Sequence, residues 1–320
     1  MKKLLAVILA VLMVLSLAAC SQSAAPKDSF RVGVCQLVQH PALDAATEGF
    51  QAALKDKLGD KVSITVNNAS GDSATCSVIC GGFVSDGVDL IMANATPALQ
   101  AAVSATNQIP ILGTSITDYG TALGIDSWTG STGINVSGTS DLAPLDGQVE
   151  VLRELFPDAT NVGIVFCSGE ANSRYQADVV SGLLQDAGLT VNEFTFADSN
   201  DVAAVIATAC DECDVLYIPT DNTAASCGEA INNVARSAGV PIISGEENAC
   251  ALFGVATLSI SYFDLGYATG EMAVELLTGG KDVASMEVRF APQFTKKYNA
   301  ELCSALGVTV PDGYEAIAAE

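Results

Sequence analysis

Apolar and polar positions alternate along this chain in a repeating rhythm. Residues 30–37, FRVGVCQL, form a short β-branched apolar run and predict a strand. Residues 43–58 switch to apolar spacing near i, i+3, i+4 and predict a helix. The rhythm continues with strands at 62–68, 88–94 and 110–115 and a helix at about 73–85. Pro97 falls just inside the next predicted helix, where a missing N–H is tolerated. Residues 120–140 are rich in Gly, Ser and Thr and predict a loop and crossover. A second set of units follows, with helices at 144–156, 171–187, 202–210 and 223–238. Its strands are expected at 161–166, 189–196, 214–218 and 240–243. Continuous apolar strands alternating with helices predict parallel sheets covered on both faces.

The remaining tail predicts a strand at 256–261, a helix at 264–277, an extended run at 283–290 and a helix at 295–306. It is too short for a third domain, so it is expected to complete the first two. The chain then crosses between lobes about three times, which makes a hinge of several segments and a cleft. The expected fold is α/β: two Rossmann-like lobes with parallel sheets joined by a multi-strand hinge. The expected division is 30–139 plus 256–287 for lobe I, and 140–255 plus 288–320 for lobe II.

The N-terminus changes the picture of where this fold works. Lys2 and Lys3 precede an apolar run that is too short for a membrane span and suits a secretory signal. The run ends at LAAC, which resembles the lipobox of bacterial lipoproteins. Residues 1–19 are therefore expected to be a signal peptide, Cys20 a lipid anchor to the cell membrane, and 20–29 a Ser/Ala/Pro tether. The net charge is −23, with no basic patch for nucleic acid. An acidic surface keeps an anchored protein soluble and off anionic lipid. Of ten cysteines, nine remain if Cys20 carries lipid, an odd count. The Cys210–Cys213 spacing invites a metal or redox reading, but its flanks read as a helix end and a strand start. Most cysteines are expected to be small buried hydrophobes, with no metal site.

Candidate chemistry gathers at the predicted strand ends, where ligands bind in parallel αβ units. The clusters are Gln36 to Pro41, Asn94 to Pro97, Thr114 to Asp118, Ser168 to Ser173 and Pro219 to Thr223. Each places hydroxyls or amides beside a helix N-terminus, which favours a carboxylate. A free Asp nearby would hold an ammonium, so the clusters suit a zwitterion. Helix capping explains Thr96, Asn172 and Asp221 equally well. Enzyme chemistry lacks a motif: His40 is the sole histidine, no serine has a nucleophile-elbow context, and no phosphate loop occurs. No cofactor is expected. His40 is read as local structure or as a ligand or cleft-rim contact, and Trp128 as a packing plug or a cleft lid.

The segments GVCQLVQHPALDAATEGF, DLIMANATPALQA, IPILGTSITD, TGINVSGTSD, FCSGEANS, YIPTDNTAAS and YFDLGYATGEMAVELLTGG, in this order, carry a resemblance. The chain resembles the substrate-binding lipoproteins of ABC transporters with the type I periplasmic-binding fold, and within them the family linked to uptake of tryptophan and other aromatic amino acids. The resemblance implies an amino acid ligand, an ABC permease and ATPase as partners, no catalysis and a monomer. It places Gln36, Thr96, Ser115 and Thr117 at ligand positions in lobe I, and Glu170, Asn172, Ser173 and Asp221 in lobe II. Charge logic gives the carboxylate to Asn172 and Ser173 and the ammonium to Asp221, with Asp264 as an alternative partner or a helix cap. The sequence departs from the family pattern at Thr117-Asp118-Tyr119 and at Phe166-Cys167-Ser168, near the expected side-chain pocket. A branched-chain amino acid, a sugar or a nucleoside, and a sensor in place of a transporter, are the alternatives.

Overall fold

A computed structural model describes residues 29–126, 128–279 and 281–318. The signal peptide, Cys20 and nearly all of the tether lie outside the described residues. The chain starts with β1 (Phe30–Gln36), α1 (Pro41–Leu58), β2 (Val62–Asn68), α2 (Ser73–Asp86), β3 (Leu90–Asn94), α3 (Thr96–Ala105), β4 (Ile111–Ile116), α4 (Tyr119–Leu123) and β5 (Val136–Ser140). It continues with α5 (Leu145–Leu155), β6 (Asn161–Cys167), α6 (Ala171–Asp186), β7 (Thr190–Phe196), α7 (Val202–Glu212), β8 (Val215–Ile218), α8 (Asn222–Ser226), α9 (Gly228–Ala238), β9 (Ile242–Ser244) and α10 (Glu247–Leu252). Last come β10 (Ala256–Ser259), α11 (Tyr262–Leu277), β11 (Arg289–Phe290), β12 (Thr295–Tyr298), α12 (Ala300–Leu306) and β13 (Glu315–Ala316).

The strands form two sheets, one per lobe. Lobe I has the order β11-β5-β4-β3-β1-β2, parallel throughout. Lobe II has the order β13-β12-β10-β9-β8-β6-β7, parallel except where β12 runs against β10. The chain passes between the sheets after β5, after β10 and after β11. This pairing shifts the expected division. Residues 256–259 belong with lobe II, because β10 joins β9 and β12. Arg289 and Phe290 belong with lobe I, because they pair with Thr139 and Ser140.

Three local expectations also change. The predicted loop at 120–140 contains β5, VSGTS, whose five residues are all buried. Gly138 fits there because a Cβ would overlap the Gly113 carbonyl on the neighbouring strand. The predicted helix at 295–306 is instead a strand, TKKY, followed by α12, capped by the Asn299 side chain accepting from the Leu302 N–H. The predicted helix at 223–238 breaks at Cys227 into α8 and α9.

The core is fixed by faces that the periodicity shows. Helix α1 has Pro41 in its first turn, Asp44 near its start and Lys55 and Lys57 in its last turn, which suits both the backbone and the helix dipole. It turns Leu43, Ala46, Phe50 and Leu54 inward. Helix α11 crosses it closely at glycines: a Cβ on Gly266 would overlap the Ala46 carbonyl, and one on Gly49 the Phe263 carbonyl. That contact ties the tail helix to lobe I. It holds Tyr262, at the start of α11, against the end of β5. The nine described cysteines are all unpaired, and seven of them are buried. No helix among the described residues is long and apolar enough to cross a membrane.

Candidate functional site

The strand ends of the two sheets face each other across a closed cleft. A small inner cavity of about 10 Å³ is walled by His40, Leu43, Ser115, Thr117, Asp141 and Tyr262 from lobe I, and by Asn172, Thr220, Asp221, Asn222 and Glu246 from lobe II. The backbone is bent at and beside this wall. Ala95 and Ser115, which follow β3 and lie in β4, take left-handed conformations with φ of 88° and 56°. Such positions cost about 1–3 kcal/mol each for a non-glycine residue and concentrate at binding sites. A second, outer compartment of about 280 Å³ opens beside the cavity and shares Asn222 with it. It is lined by Leu37, Val38 and Pro97 from one lobe and by Cys167, Glu170 and Ala197 from the other.

Four carboxylates meet here. Asp141, Glu170, Asp221 and Glu246 are each only 4–5 % exposed. No lysine or arginine lines the inner cavity among the described residues. Three of the four are satisfied within their own lobe. Asp221 caps α8 by accepting from the Ala224 N–H at 2.8 Å, and its other oxygen accepts from the Cys167 N–H at 2.7 Å. Glu246 caps α10 by accepting from the Asn248 and Ala249 N–H groups. Glu170 accepts from the Asn222 and Thr223 N–H groups and from the Asn222 amide and Thr223 hydroxyl. Asp141 differs. One of its oxygens accepts from the Tyr262 hydroxyl at 2.8 Å, and the other, Oδ1, has no hydrogen-bonding partner.

Burial sets the acidity of these groups. It pushes Asp141 up to about 6, against the hydroxyls of Tyr262 and Thr117, which favour the charged form. It pushes Asp221 up to about 7, with the Glu170 charge adding to the shift. Glu246 is likewise raised to about 7 by burial. Burial lowers His40 below its ordinary value, against the pull of Asn222, Glu170 and Asp44.

The structure sorts the candidate residues read from the sequence. Ser115, Thr117, Asn172 and Asp221 line the inner cavity, and Glu170 lines the outer compartment. Gln36 lines neither: its amide donates to Asp44 and to the Val38 carbonyl, and its oxygen accepts from Thr47. Ser173 is fully buried behind Asn172. Thr96 is buried with an unpartnered hydroxyl at the start of α3. Asp264 sits on the exposed first turn of α11 and lines a groove at the hinge, away from the inner cavity. Asp141 and Glu246 were missed as ligand candidates, whereas Asn222 falls within the Pro219 to Thr223 cluster. Asp141 follows the strand read as a loop, so its place at a strand end was hidden.

A two-lobed α/β protein with buried, partly unsatisfied polar groups at the facing strand ends is a ligand-binding protein of the periplasmic-binding type. Residues 31–320 match the family described as ABC transporter substrate binding protein, and the chain belongs to it. It is 38 % identical over 302 residues to a tyrosine-binding protein of Clostridioides difficile (strain R20291), covering 90 % of this chain and 87 % of that one. Its structure matches that of an ABC domain from Streptococcus pneumonia in complex with L-Trp, with a TM-score of 0.86, 31 % identity, and coverage of 90 % and 100 % of the two chains. It also matches the ligand-free, open structure of a substrate-binding protein with adhesive properties from Clostridium difficile, with a TM-score of 0.69, 36 % identity, and coverage of 91 % and 100 %. The shape agrees better with the complex than with the open form, although the open protein is nearer in sequence. The lobes here stand in the closed arrangement.

Proposed function

We propose that this protein captures an aromatic amino acid between its lobes outside the cytoplasm and delivers it to an ABC permease and its ATPase. The observation that carries this reading is the set of unpaired polar atoms buried in the inner cavity: Asp141 Oδ1, Asn172 Oδ1, His40 Nδ1 and the Ser115 hydroxyl. Buried polar atoms are normally paired, so such a cluster at a cleft marks where a ligand supplies the partners. The binding of tyrosine by one relative and of L-Trp by another supports the aromatic class. In this reading the ligand ammonium sits against Asp141, rather than against Asp221, whose oxygens already serve the backbone. The Ser115 hydroxyl donates to the ligand carboxylate. The ring lies toward the outer compartment, against Val38 and Pro97.

The same geometry gives a mechanism for capture. Closing the cleft takes the Asp141 charge out of water with one oxygen unsatisfied, which is costly. A ligand ammonium removes that cost, so the ligand favours the closed state over the open one. Only such a difference in affinity can shift the equilibrium between them. The permease then reads the closed form. The chain acts without chemical turnover, as a monomer held to the membrane through lipidated Cys20.

The test is to purify the protein, unfold it, and identify the released small molecule by mass spectrometry. Tyr, Trp, Phe, Leu and a purine nucleoside are then titrated calorimetrically. An aromatic amino acid in both experiments is the expected result. Binding of the nucleoside alone, or of nothing, would remove the proposed ligand class.

A further inference from the structure

We infer that His40 contacts the ligand, and that Glu170 sets its tautomer across the cleft through Asn222, so that His40 Nδ1 completes a three-acceptor cradle for a primary ammonium. This rests on the reading that the ligand is an amino acid. The relay is fixed by donor and acceptor logic. The Asn222 amide nitrogen donates to Glu170 Oε2 at 2.6 Å. Its oxygen is therefore the atom that faces His40 Nε2, at 3.3 Å. An amide oxygen only accepts, so the hydrogen of the neutral ring is on Nε2, and Nδ1 is left as a lone pair. That lone pair is buried without a partner, on a residue that lines the cavity.

Glu170 orients a second amide in the same way. The Asn172 amide nitrogen donates to Glu170 Oε2 at 3.2 Å and to the Thr220 carbonyl at 3.1 Å. Its Oδ1 is left unpaired in the cavity. With Asp141 Oδ1 there are then three unpaired acceptors, and a primary ammonium carries three N–H donors. An N-methylated amine has fewer donors and more bulk, so it leaves acceptors buried and unmatched. Glu170 does not line the inner cavity and is a positioning residue.

The cradle is shared between lobes. His40 and Asp141 come from lobe I, and Asn172, Asn222 and Glu170 from lobe II. Only the closed cleft brings the Asn222 oxygen to the His40 ring, so closure itself fixes the tautomer. The charged or titratable groups around the ring are Asp44 on its own helix, Glu170 beyond Asn222, and Asp141, Asp221, Glu246 and Tyr262 on the cavity wall. The carboxylates favour an imidazolium, but burial outweighs them and keeps the ring neutral.

His40 is the sole histidine of the chain, so one nitrogen-15 spectrum of untagged protein reads the tautomer without assignment. In the tyrosine-saturated protein at pH 7.5 the expected form is neutral with hydrogen on Nε2. A ring protonated on Nδ1, or an imidazolium, overturns the inference. Glu170→Gln should mix the two tautomers. Calorimetry gives the second readout. Wild type should prefer tyrosine over N,N-dimethyltyrosine by about tenfold or more, and His40→Gln, which keeps a donor toward Asn222 but has no acceptor at the Nδ1 position, should lose tyrosine affinity by about tenfold. His40→Asn, whose amide oxygen can take the place of Nδ1, should recover part of that loss. Unchanged tyrosine affinity in His40→Gln overturns the inference while leaving amino acid binding intact. Failure of every amino acid to bind removes the proposed function and the cradle together.

Discussion

On the lobe II wall of the cleft, Glu170, Asp221 and Glu246 are closed off by N–H groups of their own lobe. On the lobe I wall, Asp141 keeps one oxygen bare, Ser115 a bare hydroxyl and His40 a bare ring nitrogen. Both walls are acidic and buried, yet they are prepared differently. The carboxylates of lobe II organise short helices and orient amides, so the charges of that wall are satisfied before a ligand arrives and the Asn172 oxygen is what it leaves bare. In lobe I a charged oxygen, Asp141 Oδ1, is satisfied only by the ligand. The contrast teaches that a buried carboxylate at a cleft is not by itself a ligand contact. What matters is which of its lone pairs remain free.

This contrast can be broken or sharpened by experiment. The largest effect is expected at Asp141. Asp141→Asn removes the charge that faces the ammonium and should weaken tyrosine binding by on the order of 100-fold, about 3 kcal/mol, in a calorimetric titration. The same change removes the cost of burying an unpaired charge, so the ligand-free variant should close more readily. Small-angle scattering would show a smaller radius of gyration than for the ligand-free wild type.

Asp221 should behave in the opposite way. Asp221→Ala orphans the Cys167 and Ala224 N–H groups inside lobe II and should lower stability by about 2 kcal/mol, read by thermal unfolding. A loss of affinity larger than that at Asp141, with stability unchanged, would return the ammonium to Asp221.

Acidity gives the next test. Burial raises Asp141 to about 6, and Asp221 and Glu246 to about 7. A carboxylate whose pKa is raised in one state takes up protons in that state, so the closed form gains as pH falls through that range. His40, held below its ordinary value, works the other way, but it is one group against three. The ligand-free protein should therefore become more compact from pH 8 to pH 5.5 in scattering experiments. Tyrosine affinity should fall over the same interval, because protonated Asp141 no longer pairs with the ammonium. The smallest effect is expected for Asp264→Ala: tyrosine affinity within about 0.5 kcal/mol of wild type by calorimetry, since an exposed residue away from the cavity contributes little.

Much of the fold could be read directly from the residues. The long apolar runs of β1, β3 and β6 and the spacing of α1 and α6 are strong periodic signals, and the structure has them nearly where expected. β5 was hidden because VSGTS is short, small and hydroxyl-rich. It is a strand because it is clamped between β4 and β11, a tertiary cause that local patterning does not carry. Asp141 was hidden with it. Ser115, Thr117 and Asn172 were legible as polar residues at strand ends, and they do line the cavity. The roles given to Asn172 and Asp221 were not legible, because they depend on which lone pairs their own lobe already uses. Asp264 read in sequence as an alternative ammonium partner or a helix cap, and only the path of α11 shows it turned toward the hinge groove.

The account depends most on lobe I supplying the charge that meets the ligand. A crystal structure of the tyrosine complex tests this most directly. It should place the ammonium nitrogen within about 3 Å of Asp141 Oδ1, with Asp221 and Glu246 still bonded to their own helices. An ammonium resting on Asp221 or Glu246, with Asp141 turned away from the ligand, would contradict it.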